Sequence, residues 1–280
     1  ENFLALGGHS LRLTRLLSRI REVFQTDVSL AELFERQTVA EQAALISARR
    51  TGERQGLQIR PLPRDPGARS PLSSSQKRIW FLSMLNPASP EYNIVARFQL
   101  RGALNAAALE AALGDLVRRH PMLRARFGAD GGEPYQVIDP YQPVQLERLS
   151  YPSGTELSAC VQALIERESL RGFELSRGGL TRFSVVEQGP GRSVFVLIIH
   201  HIVFDGWSLE LLVKELSAAY DARCRGTAPA LAEPAHYFDF VVAQQSWMRD
   251  HGEAQQLPYW LERLAELPPM RLPLDRPRPQ

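Results

Sequence analysis

Residues 194–216 read VFVLIIHHIVFDGWSLELLVKEL, and this stretch indicates how most of the chain folds. It opens with an unbroken apolar run, 194–199, and such a run without polar alternation predicts a central β-strand that is covered on both faces. A turn at Asp205 and Gly206 separates this strand from a segment with helical periodicity. The apolar face of the predicted helix comprises Leu209, Leu212, Val213, Leu216 and Tyr220.

Two histidines, His200 and His201, stand at the end of the predicted strand. Adjacent residues of a strand point to opposite faces, so one histidine can face a cavity while the other is buried. A neutral imidazole, with a pKa of about 6.5, can accept a proton from an amine or a hydroxyl group at physiological pH. Taken alone, the H-x-x-x-D spacing favours a simpler interpretation, in which the histidines are hydrogen-bonded strand-end residues and Asp205 is a turn or N-cap residue.

Strands and helices mix on the N-terminal side of this stretch. Residues 94–100 alternate apolar and polar side chains, which predicts a half-buried strand, and Asn105 is predicted to cap a helix that Pro121 ends. Further strands are predicted at Leu123–Phe127, Tyr135–Ile138, Thr181–Glu187 and Ser193–His200, with a helix at Glu156–Leu170. The sequence therefore predicts an α/β unit with a mixed sheet.

The first 50 residues carry only helical patterns. Apolar side chains recur with the helical period over 11–24, and a second short apolar set follows over 30–34. Thr38 and Glu41 form a capping box for a third helix, whose predicted apolar face comprises Val39, Ala43, Leu45 and Ile46. We expect a small all-helical unit over residues 1–50, a linker rich in proline, glycine and charge over 51–70, and an α/β unit over 71–280.

The composition of the chain limits its function classes. Of 280 residues, 44% are hydrophobic and 23% are charged, and the formal net charge is +2, values that are ordinary for globular proteins. No apolar run approaches the roughly 20 residues that a membrane-spanning helix needs, and a net charge near zero gives no field that would attract nucleic acid. Cys160 and Cys224 show neither disulfide nor zinc spacing, so we expect no metal site and a reducing, cytoplasmic location.

Four sequence blocks, taken in order, resemble those of one family. HHIVFDGWS at 200–208 is similar to its HHxxxDGxS signature and SSSQKRIWFL at 73–82 to its SxAQxRxWxL opening, while RHPMLRARF at 119–127 and YFDFVVA at 237–243 supply two more. The family comprises the acyl-transferring condensation domains of nonribosomal peptide synthetases, which are related in fold to chloramphenicol acetyltransferase. The resemblance implies two similar lobes with the active site in a tunnel between them, and residues 71–280 correspond to the first lobe.

The resemblance also implies roles for individual residues. His201 is expected to face the tunnel and to deprotonate or orient the amine that attacks the thioester, with His200 in support. Asp205 is expected to face away from substrate and to pair with an arginine, for which Arg78 is the first choice and Arg124 the second. These roles predict an acyltransferase that forms amide bonds. Because the second lobe would supply the other wall of the tunnel, residues 71–280 alone are expected to be inactive.

Glycine and aromatic residues near the motifs have less specific expectations. Gly206 is expected either to donate its backbone N–H to the developing oxyanion or only to permit the turn. Trp80, Phe81 and Trp207 have two interpretations, as the lining of a substrate channel or as core residues. The core is expected, because large aromatic side chains are most often found there. Tyr237, Phe238 and Phe240 are expected to form the apolar face of a helix.

The sequence LGGHSL at residues 6–11 resembles the attachment motif of a peptidyl carrier domain. The resemblance implies that Ser10 receives a covalent 4′-phosphopantetheine arm from a phosphopantetheinyl transferase, and that residues 1–50 are a carrier domain whose first helix is missing. A hydroxyl group at a helix start lies beside amide groups that favour a phosphodiester anion. Outside this context, Ser10 is equally well explained as a helix cap.

Together the two resemblances imply nonribosomal peptide synthesis. The acyl thioester on the Ser10 arm would be attacked by the amine of a downstream aminoacyl thioester, and upstream and downstream adenylation and carrier domains would be the partners. The start at Glu1 and the proline-rich end likewise predict a piece of a longer chain. Two alternatives remain, an epimerisation domain of the same superfamily, whose carrier tends to have aspartate where this chain has His9, and a noncatalytic docking module.

Overall fold

A computed structural model describes residues 2–3, 10–24, 26, 28–49, 59–62, 67–87, 89–152, 154–188 and 191–267. Most of the predicted linker lies outside the described residues, as do residues 6–9 of the LGGHSL motif and the proline-rich end. The predicted boundaries at 50 and 70 therefore stay predictions.

The N-terminal unit consists of three helices, α1 (Ser10–Phe24), α2 (Leu30–Glu35) and α3 (Val39–Arg49), in the part of the chain that is described. They enclose a small apolar core formed by Leu13, Leu17, Ile20, Val28, Leu33, Leu45 and Ile46. The predicted capping box is present, because the Thr38 hydroxyl and backbone N–H both donate to the Glu41 carboxylate. The predicted apolar face of α3 is partly wrong, since Val39 is 80% exposed and Ala43 is exposed as well. Only the second half of α3 reaches the core.

The main sheet has four strands in the order β2 (Asn93–Arg101), β7 (Arg192–His200), β6 (Thr181–Gln188) and β5 (Leu146–Tyr151). The β5–β6 pair is parallel and the other two pairs are antiparallel, which confirms the predicted mixed sheet. Strand β7 lies between β2 and β6, and residues 195–199 are all buried, as the unbroken apolar run predicts. The histidine pair therefore leaves the sheet from its interior.

A second sheet of three antiparallel strands contains β1 (Ser70–Pro71), β4 (Glu133–Ile138) and β3 (Ala125–Asp130) in that order. Strand β3 starts two residues later than predicted, because residues 121–124 form a 3₁₀ turn that begins with Pro121. Strand β5 was not predicted. It is an edge strand with only Leu146 buried, so its sequence lacks an apolar alternation.

Six helices complete the described part of the lobe: α4 (Ser74–Leu85), α5 (Ala106–Arg119), α6 (Leu157–Ser169), α7 (Gly206–Cys224), α8 (Tyr237–Trp247) and α9 (Glu253–Leu264). Asn105 caps α5 as predicted, since its side-chain oxygen accepts from the backbone N–H of Ala108 at 3.0 Å. Helices α5 and α7 are joined by the Asp115–Arg223 ion pair. A single apolar core unites the main sheet with α4, α5, α6 and α7. Within the described ranges, no helix is both long and apolar enough to span a bilayer.

Candidate active site

The histidine turn connects β7 to α7. Strand β7 ends at His200, and α7 begins at Gly206. The backbone N–H of His201 donates to the carbonyl oxygen of Tyr92 at 2.8 Å, and the N–H of Val203 donates to that of His200 at 3.2 Å. The first hydrogen bond attaches the turn to the segment that leads into β2, and the second closes the turn itself. The histidines are therefore held by backbone hydrogen bonds as well as by packing.

His200 is a buried structural residue. Its side chain is 2% exposed and lies between the rings of Tyr92 and Phe173, at centroid distances of 6.0 and 6.1 Å. Its Nδ1 accepts a hydrogen bond from the backbone N–H of Ile202 at 3.2 Å. Burial, and to a lesser degree the neighbouring His201, lower the pKa of His200 to about 4, so the ring is neutral near pH 7. The prediction that one histidine of the pair is buried is thereby confirmed.

His201 points in the other direction, and its side chain is accessible. Its Nδ1 lies 2.7 Å from the carbonyl oxygen of Phe204. A carbonyl oxygen only accepts hydrogen bonds, so in the neutral ring Nδ1 carries the proton and Nε2 keeps its lone pair. Among the described residues, Nε2 has no hydrogen-bond partner. The turn therefore presents one histidine with a free acceptor nitrogen.

Asp205 is the N-cap of α7. Its Oδ1 accepts from the backbone N–H of Ser208 at 2.9 Å and from the Ser208 hydroxyl group at 2.8 Å. The expected pairing with an arginine is wrong for the described residues, where no ion pair joins Asp205 to Arg78 or Arg124. The cap occupies the carboxylate, Arg78 is exposed on α4, and Arg124 donates instead to three backbone carbonyl oxygens.

Gly206 is the first residue of α7, and its backbone does not have the positive φ that favours glycine. A Cβ atom at this position would have no heavy atom within 4 Å. Neither backbone conformation nor local packing thus requires glycine here. The expectation that Gly206 only permits the turn is wrong.

An open cavity of about 570 Å³ is lined by His201 and by residues of α4, α7 and α8. Asp205 also contributes to its wall, against the expectation that this residue faces away from the site. The wall is mostly apolar, and it includes Tyr237, Phe238 and Phe240. These three aromatic residues were expected on the buried face of a helix, but α8 buries Asp239 and Val241 instead. The helix itself was predicted correctly, while its aromatic side belongs to the cavity.

The other aromatic residues near the motifs differ in how far they are buried. Trp80 is half-buried against the core, as expected. Phe81 is 56% exposed and Trp207 is 37% exposed, so their expected core positions are wrong. Both lie on the outer faces of their helices, α4 and α7, and neither lines the cavity.

A buried ion-pair network that the sequence analysis missed lies at one end of the cavity. Glu215 of α7 accepts from Arg119 at 3.0 and 3.3 Å and contacts Nε2 of His120 at 2.6 Å. Burial opposes ionisation of Glu215, but the hydrogen bonds from His120 and Arg119 outweigh it and lower the pKa of this carboxyl group. The available signal was a glutamate on the side of α7 that also carries Leu212 and Ala219, both buried.

Ser10 is the exposed first residue of α1, a helix of 15 residues. Its first turn contains no acidic residue, and Arg12 lies two positions further on. The free N–H groups at a helix start favour a phosphate group, and no acidic residue of the first turn opposes it, so the residues present fit a phosphodiester linkage. An ion pair between Arg15 and Glu210, at 3.2 Å, joins α1 to α7. Across the described part of the chain, no group of three or more His, Cys, Asp or Glu side chains could hold a metal ion.

Comparison with known proteins identifies the same two segments. Residues 68–280 match the family described as Condensation domain, and residues 1–46 match the Phosphopantetheine attachment site, a family in which 4′-phosphopantetheine is bound covalently. The whole chain is 40% identical to a segment of a linear gramicidin synthase of Brevibacillus parabrevis, and 37% identical to a segment of a dimodular nonribosomal peptide synthase of Bacillus subtilis. The chain spans 5% of the length of the gramicidin synthase and 12% of the length of the dimodular synthase.

Solved structures agree with this assignment. The first condensation domain of the calcium-dependent antibiotic synthetase, in complex with substrate analogue 3a, has a TM-score of 0.67 and 25% identity, covering 73% of this chain and 50% of that one. The starter condensation domain of rhizomide synthetase RzmA, as the R148A mutant in complex with C8-CoA, has a TM-score of 0.65 and 26% identity. The match covers 71% of this chain and 46% of that one. From residue 68 onwards, the chain belongs to the condensation-domain family of nonribosomal peptide synthetases, preceded by a carrier-type segment.

Proposed function

We propose that this chain takes part in amide-bond formation between two thioester-bound substrates, with His201 at the reacting amine and Ser10 as the attachment residue of the acyl donor. One observation carries the proposal. The Nδ1 of His201 lies 2.7 Å from the carbonyl oxygen of Phe204, which leaves Nε2 as the acceptor of a side chain that lines a large apolar cavity. The family membership and the peptide synthetase names of the relatives support it.

The proposed role of His201 in catalysis follows from its hydrogen bonds. An amine that donates one N–H to Nε2 keeps its lone pair directed at an acyl carbon on the opposite side. As the C–N bond forms, the nitrogen becomes acidic, and Nε2 either takes its proton or holds the amine in this orientation. The Phe204 carbonyl oxygen stabilises the charge that develops on the ring. The proton that Nε2 accepts can then be passed to the sulfur atom as the C–S bond breaks.

Gly206 and Asp205 act on the same centre in this proposal. The N–H of Gly206 lies in the first turn of α7, where backbone N–H groups have no intrahelical acceptor, so it is suited to bind the oxyanion of the attacked carbonyl. Asp205 acts indirectly, because its cap on Ser208 holds the first turn of α7 beside His201. Arg78 has no contact with Asp205, and we give it no role.

The carrier-type segment supplies the donor. Ser10 would bind the phosphodiester of 4′-phosphopantetheine at the start of α1, with Arg12 nearby. When bound, this group supplies a thiol that holds the acyl chain as a thioester. A phosphopantetheinyl transferase as the modifying enzyme, neighbouring adenylation and carrier domains as partners, and a cytoplasmic location complete the proposal.

The test uses the full-length protein in two steps. Incubation with coenzyme A and a promiscuous phosphopantetheinyl transferase should add one phosphopantetheine by intact mass, and Ser10→Ala should abolish the gain. Amide formation from the loaded protein should then fall about 10²- to 10⁴-fold in His201→Ala, the usual contribution of general acid–base catalysis.

The matched control is His251→Ala, which removes an exposed histidine outside the cavity. It should leave the rate unchanged. Unaltered amide formation in His201→Ala would overturn the catalytic role and favour a docking module. Inversion of the donor's α-carbon in place of amide formation would favour an epimerisation domain, and a mass gain that survives in Ser10→Ala would remove the attachment assignment.

A further inference from the structure

The position of the His201 imidazole depends on the backbone of its turn. The N–H of His201 donates to the carbonyl oxygen of Tyr92 at 2.8 Å, and this bond joins the turn to the segment that leads into β2. A catalytic group must be held within about 0.5 Å of its productive geometry, and a displacement of about 1 Å can lower the rate roughly 100-fold. Residues that hold Tyr92 in place therefore act on the reaction through His201.

Asn93, the first residue of β2, follows Tyr92 and lies directly opposite His200. Tyr92 and His201 form a hydrogen-bonded pair of the antiparallel ladder, so Asn93 and His200 form the narrow pair next to it. In a narrow pair the two side chains lie closer together than in the pairs on either side. Asn93 is thus a neighbour of both histidines, of His200 through its side chain and of His201 through the carbonyl group that precedes it.

The side chain of Asn93 attaches the start of β2 to the end of α6. Its Nδ2 donates to the carbonyl oxygens of Ser169, at 2.7 Å, and Arg171, at 3.1 Å. Carbonyl groups in the last turn of a helix have no acceptor role within the helix, so the bond to Ser169 also satisfies the end of α6. The Oδ1 atom has no hydrogen-bond partner in the described part of the chain, so the donor side of the amide makes this contact.

The segment 168–173, at the end of α6, packs against the His200 ring. Its Phe173 meets that ring edge-on, with a centroid distance of 6.1 Å and an interplanar angle of 88°. Arg182 of β6 holds the same segment, because its guanidinium group lies 3.9 Å from the Phe173 ring. The same guanidinium group donates to the carbonyl oxygens of Glu168, Arg171 and Gly172. The two strands that flank β7 therefore each supply one side chain, Asn93 or Arg182, that fixes this segment beside the histidines.

We propose that Asn93 is a positioning residue for amide formation, whose two hydrogen bonds hold the start of β2 on segment 168–173 and thereby hold His201 through the Tyr92 carbonyl oxygen. Asn93 does not line the cavity, so it acts on the substrates only through His201. The inference rests on the proposed amide-forming function and adds to it a residue outside the four sequence blocks.

The test is a kinetic double-mutant cycle in the full-length protein, with a fixed acyl donor on Ser10 and the alanyl thioester of N-acetylcysteamine as acceptor. Asn93→Ala should lower kcat about 10- to 100-fold with little change in the KM of the acceptor. In a His201→Ala background the same substitution should change kcat less than about twofold, because there is no imidazole left to position. Asn93→Asp has nearly the same shape but directs an acceptor at two carbonyl oxygens, so it should lower kcat at least as much as Asn93→Ala.

The matched control is Gln99→Ala, since Gln99 lies on the same face of β2, is exposed and does not line the cavity. It should leave kcat unchanged in both backgrounds. Asn93→Ser keeps one donor and replaces Asn93→Ala in the cycle if the alanine variant does not fold, with the same contrast expected between the two backgrounds.

The outcomes separate this inference from the proposed function. Equal losses of kcat in the wild-type and His201→Ala backgrounds would assign Asn93 to folding alone and overturn the inference. Wild-type kcat in Asn93→Ala or in Asn93→Asp, while His201→Ala remains impaired, would overturn it as well. An unaltered rate in His201→Ala would instead overturn the proposed function, and this inference with it.

Discussion

The Nδ1 atom of His201 lies 2.7 Å from the carbonyl oxygen of Phe204, three residues further along the same turn. The tautomer of the histidine is therefore set by the backbone of its own turn and needs no carboxylate partner. This arrangement frees Asp205 to cap α7, and the two residues have separate tasks although only three positions lie between them.

The two adjacent histidines should differ in their effect on stability. His200→Ala removes a buried ring and leaves the N–H of Ile202 without its acceptor, so we expect the free energy of unfolding to fall by about 2–4 kcal/mol. His201→Ala removes an accessible ring and should cost less than about 1 kcal/mol. Urea unfolding of both variants measures this difference, and equal losses would contradict the assignment of His200 to the fold.

The buried His200 should also make stability depend on pH. Its pKa is about 4 in the folded state and about 6.5 in the unfolded chain, so between these values only the unfolded chain binds the proton. The free energy of unfolding should fall as the pH decreases from 6.5 to 4, by about 3 kcal/mol in total, whereas above pH 6.5 this group contributes no slope. His200→Phe removes the titrating ring. A wild type and a variant with parallel pH profiles over this interval would show that His200 is not the cause.

The cap at Asp205 predicts the outcome of a double-mutant cycle. Asp205→Ala should lower the free energy of unfolding by about 1 kcal/mol, because the N–H of Ser208 loses its acceptor, and Asp205→Asn should restore most of it. Arg78→Ala should have little effect, and the coupling between the two positions should be below about 0.5 kcal/mol. A coupling energy above about 1 kcal/mol would instead support the ion pair that the family resemblance implies.

The Glu215 network should be far more important than an exposed pair on the same helix. Glu215→Ala leaves Arg119 and His120 without their carboxylate in a largely buried site, so we expect a loss of about 3–5 kcal/mol. Glu210→Ala breaks only the exposed contact with Arg15 and should cost about 0–1 kcal/mol. Thermal unfolding followed by circular dichroism compares the two variants, and similar melting temperatures would count against the network.

Gly206→Ala separates folding from chemistry. Alanine at the first turn of α7 meets no other atom and has the higher helix propensity, so stability should stay constant or rise by up to about 1 kcal/mol. If the Gly206 N–H binds the oxyanion, the added methyl group crowds that position and kcat should fall while KM for the acceptor changes little. A variant with normal kcat would remove Gly206 from the site.

Elements with long, regular patterns were predictable from the sequence. The apolar run of β7 gave a clear signal because a central strand leaves no alternative exposure for its residues. Helix α7 was also predicted, but its predicted apolar face is only partly right. Of the five residues of that face only Leu212 is buried, and the helix buries Glu215, Ala219 and Ala222 instead. Strand β5 gave no clear sequence signal, since five of its six side chains are at least partly exposed at a sheet edge. Its parallel pairing with β6 depends on a contact between distant segments.

The histidine motif of the candidate site could be predicted from the sequence, but the cavity around it could not. His201 was found from local residue types, and the structure adds the Phe204 contact that sets its tautomer. The cavity is assembled from helices and turns that are far apart in sequence, so no local pattern describes it. The aromatic residues of α8 show the difficulty, because helical periodicity cannot distinguish a side chain that fills a core from one that lines a cavity.

The position of β7 between two hydrogen-bonded neighbours has a consequence for amide exchange. Its N–H groups pair with β2 on one side and with β6 on the other, so they can exchange with solvent only when the whole sheet opens. The turn that carries His201 continues directly from this strand and is bonded back to Tyr92. The N–H of His201 should thus be among the slowest in the chain to exchange, and the backbone that carries the imidazole stays in place until the lobe unfolds globally.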